Sequence, residues 1–324
     1  LNAQNAGADA SNVAVGHQAG LLVSTGAYNV IMGGLAGDAL TSGGGNVAIG
    51  YEALSTEDAN GSCVAIGFQT LKSQNAGAEA YNVAIGYEAG EAVSTGIYNT
   101  LIGGKAGDAL TTGTRNVAIG YLALTTEDAA NYNVAIGVQA LQNQDGAEYN
   151  TAVGHGAGES ITTGNQNTLI GGLAGDALTD GNTNVAVGYL ALSTETRGDR
   201  NVAVGRQALA SQNNTSDTDV YNVAVGYNAG LSVSTGINNT IIGGLAGDAL
   251  TTGSRNTVLG YAALSSEDGH GRNVAIGYQT LTDLNAGADA YNTAVGYYCG
   301  ALVSTGTQNT LIGGLAGDAL TSGA

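Results

Sequence analysis

Oxygen-bearing side chains at regular intervals are the first candidates for chemistry in this 324-residue chain. Asp38, Asp108, Asp176, Asp248 and Asp318 recur about every 70 residues, and Glu57-Asp58, Glu127-Asp128, Glu195 and Glu267-Asp268 make a second series. Calcium takes such oxygens as ligands and would offset the self-repulsion of a net charge of −18. It is the one cofactor the sequence leaves room for. Against it, the Gly-Gly-x-Gly-x-Asp nonapeptide of calcium-binding β-rolls is absent. Solvated charge that resists aggregation is the reading we carry forward.

The remaining chemistry-bearing residues do not converge. His17 and His155 fall in a column otherwise rich in Tyr, His270 falls in a turn, and none recurs with a partner as a catalytic group would. Gly103-Gly-Lys105-Ala-Gly-Asp108 superficially resembles a phosphate loop. No Ser or Thr follows the Lys, however, and the equivalent positions are Leu35, Leu173, Leu245 and Leu315. Two cysteines, Cys63 and Cys299, are too few for a disulfide framework and read as packed thiols. Tyr51, Tyr87, Tyr121 and their equivalents, with a second set at Tyr28, Tyr81 and Tyr98, suggest either stacked aromatics or a glycan-contacting surface. No enzyme is expected.

Composition narrows the partners. With 26 acidic against 8 basic residues, phosphate backbones and anionic headgroups are repelled, so neither nucleic acid nor a membrane surface is expected. No apolar run approaches the ~20 residues of a membrane span, and no signal segment opens the chain. Because the first residue is Leu1, the sequence reads as a processed or internal piece of a longer chain.

What must position these residues is a repeat. A unit of Asn, Val/Thr, a small or aliphatic residue, an aliphatic residue and Gly starts at Asn12, Asn29, Asn46, Cys63, Asn82, Asn99, Asn116 and so on to Asn309. The interval is 17 residues, stretched to 19, 21 and 19 before Asn82, Asn222 and Asn292. A 17-residue unit is too short for a helix pair or a propeller blade and fits one coil of a β-solenoid. We therefore expect an all-β parallel β-solenoid, or β-roll, of about 18 coils in one repeat domain over 1–324. Residues 1–11 would end a preceding coil, and the stack would rise roughly 85 Å at one strand spacing per coil.

Counting the Asn as position zero, the Asn column (Asn12, Asn29, Asn46, Asn82, Asn99, Asn116) should form an amide ladder broken once, at Cys63. The Gly column at position four (Gly16, Gly33, Gly50) should mark a corner. Positions one and three share one strand face; position two points the other way and is never polar. Its residues, among them Ala14, Ile31, Ala48, Leu101, Leu169, Ile241, Val258 and Leu311, are therefore expected to be covered by another copy of the chain. A four-coil superperiod of about 70 residues overlies the repeat. Types one and two carry Gly at position eight and an apolar residue at position eleven; types three and four put Leu at position eight.

Asn82-Val-Ala-Ile-Gly86-Tyr-Glu-Ala and Asn167-Thr-Leu-Ile-Gly171 resemble the head repeats of trimeric autotransporter adhesins and, still more, the repeats of bacteriophage tail fibres. The resemblance covers essentially the whole chain. It implies a left-handed β-roll in a homotrimeric rod with an exposed surface role. The 17-residue period is longer than that of the adhesin heads, and no stalk or anchor segment is visible. The expected function is a structural, non-enzymatic shaft or filament segment of an extracellular, cell-surface or virion fibre, with copies able to stack end to end. The alternatives are an adhesin that binds a host glycan or protein through its Tyr and loop faces, and an ice-binding solenoid using pairs such as Ser24-Thr25, Thr41-Ser42 and Thr111-Thr112.

Overall fold

The computed structural model describes Gln4 and residues 10–59 and 61–323, so most of the segment expected to end a preceding coil lies outside the described residues. Among them there is no helix. The fold is an all-β parallel β-solenoid of eighteen coils, each contributing one three-residue strand that begins just after the repeat Asn. Two compact units, Leu1–Thr163 and Gly164–Ala324, hold nine of these strands each. Within each unit, successive strands pair in parallel at the repeat spacing, as in Val117↔Val134 and Val185↔Val202. Long coils keep the register: Val64 pairs Val83, Val202 pairs Val223 and Val274 pairs Thr293. The extra residues leave the stack as loops, and the longest adds a short pairing of Gly198–Asp199 with Thr218–Asp219.

Strands this short need sharp corners. At position four φ is strongly positive, for example +141° at Gly120, and a Cβ there would collide with the carbonyl of Gly137 in the next coil. Only glycine meets both demands. Further corners are made by side-chain-bearing residues in the left-handed region, at positions minus one, six and eight: Tyr98 (φ 63°), Lys105 (φ 56°) and Leu124 (φ 54°). That conformation costs roughly 1–2 kcal/mol per residue. The compensation is visible, because it turns the N–H along the stack: Tyr98 N donates to Ala80 O at 2.8 Å, Lys105 N to Tyr87 O at 2.8 Å and Leu124 N to Ala140 O at 3.1 Å.

The interior is narrow and filled by positions zero, two, seven, eight and eleven. This corrects the expected orientation of the strand. Ile31, Ala48, Leu101, Leu169, Ile241 and Val258 have no accessible surface, being wrapped by their own coils, so no partner can cover them. Ala14 and Leu311, in the first and last coils, belong to the same inward column and are half-buried. Positions one and three are the outer ones. The large position-two residue of each type-two coil has an internal role: a Cβ on Gly107 or Gly175 would strike Leu101 or Leu169, so that residue fills the volume left by the Gly at position eight.

The Asn column is a ladder, with backbone as well as side-chain rungs. Asn99 Oδ1 accepts the backbone N–H of Asn116 at 2.9 Å, while Asn99 Nδ2 donates to Gly113 O of its own coil at 2.8 Å. Each amide thus clips its coil shut and anchors the next. Direct amide-to-amide bonds appear later, as from Asn256 Nδ2 to Asn239 Oδ1 at 3.2 Å. Cys63 receives a rung, its N–H reaching Asn46 Oδ1 at 3.0 Å, but toward the Asn82 N–H it offers only a thiol sulfur, a weaker acceptor than the amide oxygen that Asn273 gives Asn292 at 3.2 Å. Cys63→Asn should restore the rung and raise unfolding free energy by about 1 kcal/mol, read from a shifted urea midpoint at unchanged slope.

Candidate functional site

Position eleven is where the structure departs most from a purely apolar core. Types one and two bury Val23, Leu40, Val93 or Leu110 there; type three buries Glu57, Glu127, Glu195 and Glu267 with no accessible surface, and type four buries Gln74, Gln144 and Gln212. The expected solvated column therefore splits, with the Glu inside while Asp58, Asp128 and Asp268 stay exposed. The exchange has a volume logic. Where Leu occupies position eight, as at Leu124, Leu141, Leu192 and Leu209, it fills the core, and position eleven is released to a polar group.

A buried carboxylate survives only when its lone pairs are met. Glu195 Oε1 accepts the backbone N–H of Thr196 (3.0 Å), Arg197 (3.1 Å), Gly198 (2.8 Å) and Asn214 (2.9 Å). Its Oε2 takes Gln212 Nε2 at 2.8 Å and Asn214 Nδ2 at 3.0 Å. Glu127 is held the same way by the N–H groups of Ala129, Ala130 and Gly146 and by Gln144 Nε2 at 3.2 Å. Each Glu thus fastens the turn of its own coil to the loop of the next. Around Glu267 the set is thinner: Leu284 stands where the others have Gln, and the donors are His270 N at 3.1 Å and Ala286 N at 3.3 Å, with His270 Nδ1 3.3 Å from Oε1.

The calcium candidates are not gathered into a ligand set. Among the described residues, Asp38, Asp108, Asp176, Asp248 and Asp318 join no group of three metal-type side chains. The groups that do form are Glu127–Asp128–Asp145 and Glu267–Asp268–His270, whose buried carboxylates already accept the backbone bonds just described. Burial pushes the carboxyls of Asp38, Asp108 and Asp248 above their ordinary 3.8. Asp108 has Lys105 Nζ at 3.6 Å, a partner that Leu245 denies to Asp248. Lys105 also reaches Glu88 at 3.0 Å. Nearby, hydrogen bonds from Lys72 and then Gln69 lower the half-buried Glu52 to about 2.

The two Tyr columns form ladders along the stack. Tyr51, Phe68 and Tyr87 lie face to face with centroids 5.5 and 5.4 Å apart, and Tyr132 stacks on Tyr149 at 4.9 Å. Arg115 is sandwiched between the rings of Tyr98 and Tyr132, 5.4 and 5.5 Å from their centroids. In these runs ring faces are engaged by neighbouring coils, whereas among the described residues the exposed Tyr28, Tyr121 and Tyr189 enter no such stack and keep a face open. The hydroxyls of the Ser/Thr pairs are engaged as well: Ser24 Oγ donates to Thr41 O at 3.0 Å, and Thr111 Oγ1 to Asp128 O at 2.9 Å. They form another inter-coil ladder, which sequence reasoning missed. His17 and His155 sit at position five without a recurring partner, and both cysteines are buried free thiols, Cys63 being pushed up to about 12 by burial.

Three substitutions test these assignments. Glu195→Ala removes the acceptor of six N–H bonds and should lower stability by at least ~3 kcal/mol in denaturant titrations, while Asp128→Ala on the exposed side stays within about 0.5 kcal/mol. For Asp248, a raised folded-state value means that its charge costs stability at neutral pH and that the cost is relieved as the carboxyl protonates. Asp248→Asn should raise the melting temperature at pH 7, with the gain fading as the pH falls toward the range just above 3.8. No helix among the described residues is long and apolar enough to cross a membrane. Compared with family models, with curated proteins and with solved structures, the chain matches none.

Proposed function

We propose that this chain is a non-enzymatic structural protein, a rigid segment of an extracellular, cell-surface or virion fibre. The observation that carries the reading is redundant coil-to-coil fastening. Within each unit every coil is bound to the next by strand pairing and corner N–H groups, and all but the Cys63 coil by an Asn rung, with buried Glu and Ser/Thr rungs added at intervals. Side chains capable of chemistry are spent on these ladders and do not converge on a cleft. A protein selected to carry load along its axis would be built this way, since each ladder resists separation of coils. The homotrimeric, left-handed form implied by the tail-fibre resemblance belongs to the same proposal, as does end-to-end stacking.

Light scattering and electron microscopy of one sample test it. The expected result is an elongated particle near three times the 31.9 kDa chain mass, or a filament with a three-chain cross-section. A chain that stays monomeric and compact at tens of micromolar would overturn the fibre reading.

A further inference from the structure

The outward strand face is apolar and free of the carboxylates that crowd the rest of the molecule. Positions one and three, Val/Thr and Val/Ile in nearly every coil, are half-buried or exposed throughout, with Met32 40%, Ile170 40% and Leu259 44% accessible. The Tyr-rich positions minus one and five border them. Across these four columns there is not one Asp or Glu, although the chain has 26. Five of its 8 basic residues lie there: Arg115, Arg200, Arg206, Arg255 and Arg272. Aromatic, Arg and aliphatic side chains with acids excluded are the composition of interface cores.

We propose that this face seats a second copy of the same chain; the assignment rests on the fibre reading above and names the surface through which it assembles. Charge selects the occupant. Two molecules of net charge −18 repel on any other approach, and only this face brings copies together without opposing carboxylates. Area agrees. Within one unit, nine strands ~4.8 Å apart and three strand residues of ~3.3 Å give roughly 430 Å² of flat apolar strip, which the bordering Tyr and Arg columns extend toward the ~800 Å² that each partner contributes to a standard interface. β-branched residues dominate the centre and lose little rotamer freedom on being covered.

The test is Ile119→Lys with Val187→Lys, against Thr126→Lys with Ser266→Lys on exposed sites off the face, followed by sedimentation velocity and circular dichroism. The face variant should run as a folded monomer, its association weakened at least tenfold, while the control assembles as wild type does. Full assembly of the folded face variant overturns the surface assignment and leaves the fibre reading standing. A monomeric wild-type chain overturns both. Should the double Lys variant misfold, Ile119→Cys supplies an independent reading. Its thiol should react with maleimide at least tenfold more slowly than that of Thr126→Cys in assembled protein, and equal rates refute the assignment.

Discussion

One spacing governs this molecule: consecutive coils lie one backbone hydrogen bond apart, ~4.8 Å. At that distance each side chain's nearest neighbour is the residue at the same position of the next coil, so every column must tolerate stacking on itself. Asn does so by accepting a backbone N–H from one coil and donating within its own. Gly at position four does so because carbonyl and Cα of adjacent coils already touch. Aromatic rings stack on rings. Like charges stack badly, and column six avoids it, with Glu52, Gln69, Glu88 and Lys105 following one another, whereas position nine sets Glu91 before Asp108 and Glu159 before Asp176.

The four-coil superperiod follows from packing a polar pair into so thin a core. Leu at position eight supplies the volume that lets position eleven turn polar, and Glu in one coil needs an amide donor in the next. Types three and four therefore form a couple, Glu127 with Gln144 and Glu195 with Gln212. The long loops come after position eleven of type four, held by Gln74, Gln212 and Leu284, where the buried carboxylate of the preceding coil supplies a fixed acceptor for their backbone: Asn214 N, nineteen residues beyond Glu195, is held at 2.9 Å. Replacement of Gln by Leu284 weakens only that couple, because each coil interacts chiefly with its immediate neighbours.

Much of this was legible in the sequence. The period, the coil count, the corner glycines and the Asn column follow from spacing alone. The strand's orientation did not, because both of its faces are apolar and hydrophobic alternation cannot then choose between them. The signal lay in size: Ala recurs at positions two and seven, as a narrow interior demands, while the bulkier Val and Ile sit at positions one and three, where the space is open. The buried Glu was hidden by its type. A charged residue is ordinarily solvated, and only its sharing of position eleven with Val23 and Leu40 revealed that it points inward. Ladders through Ser and Thr hydroxyls leave no periodic mark distinct from ordinary turn composition.

The corrected orientation changes what the exterior means. With Ala and Leu inside, the coils are already complete, and their Val and Ile columns are not needed to hold a single chain together. Maintaining methyl groups outward coil after coil, while carboxylates occupy the other outward columns, costs solubility and returns nothing to an isolated chain. The Tyr ladders point the same way. Stacking consumes ring faces along the axis and leaves edges and hydroxyls at the borders of the strand, an amphipathic rim around an apolar centre, as at an interface between proteins. The same spacing that lets coils stack also makes this surface regular, so whatever fits one coil fits its neighbours.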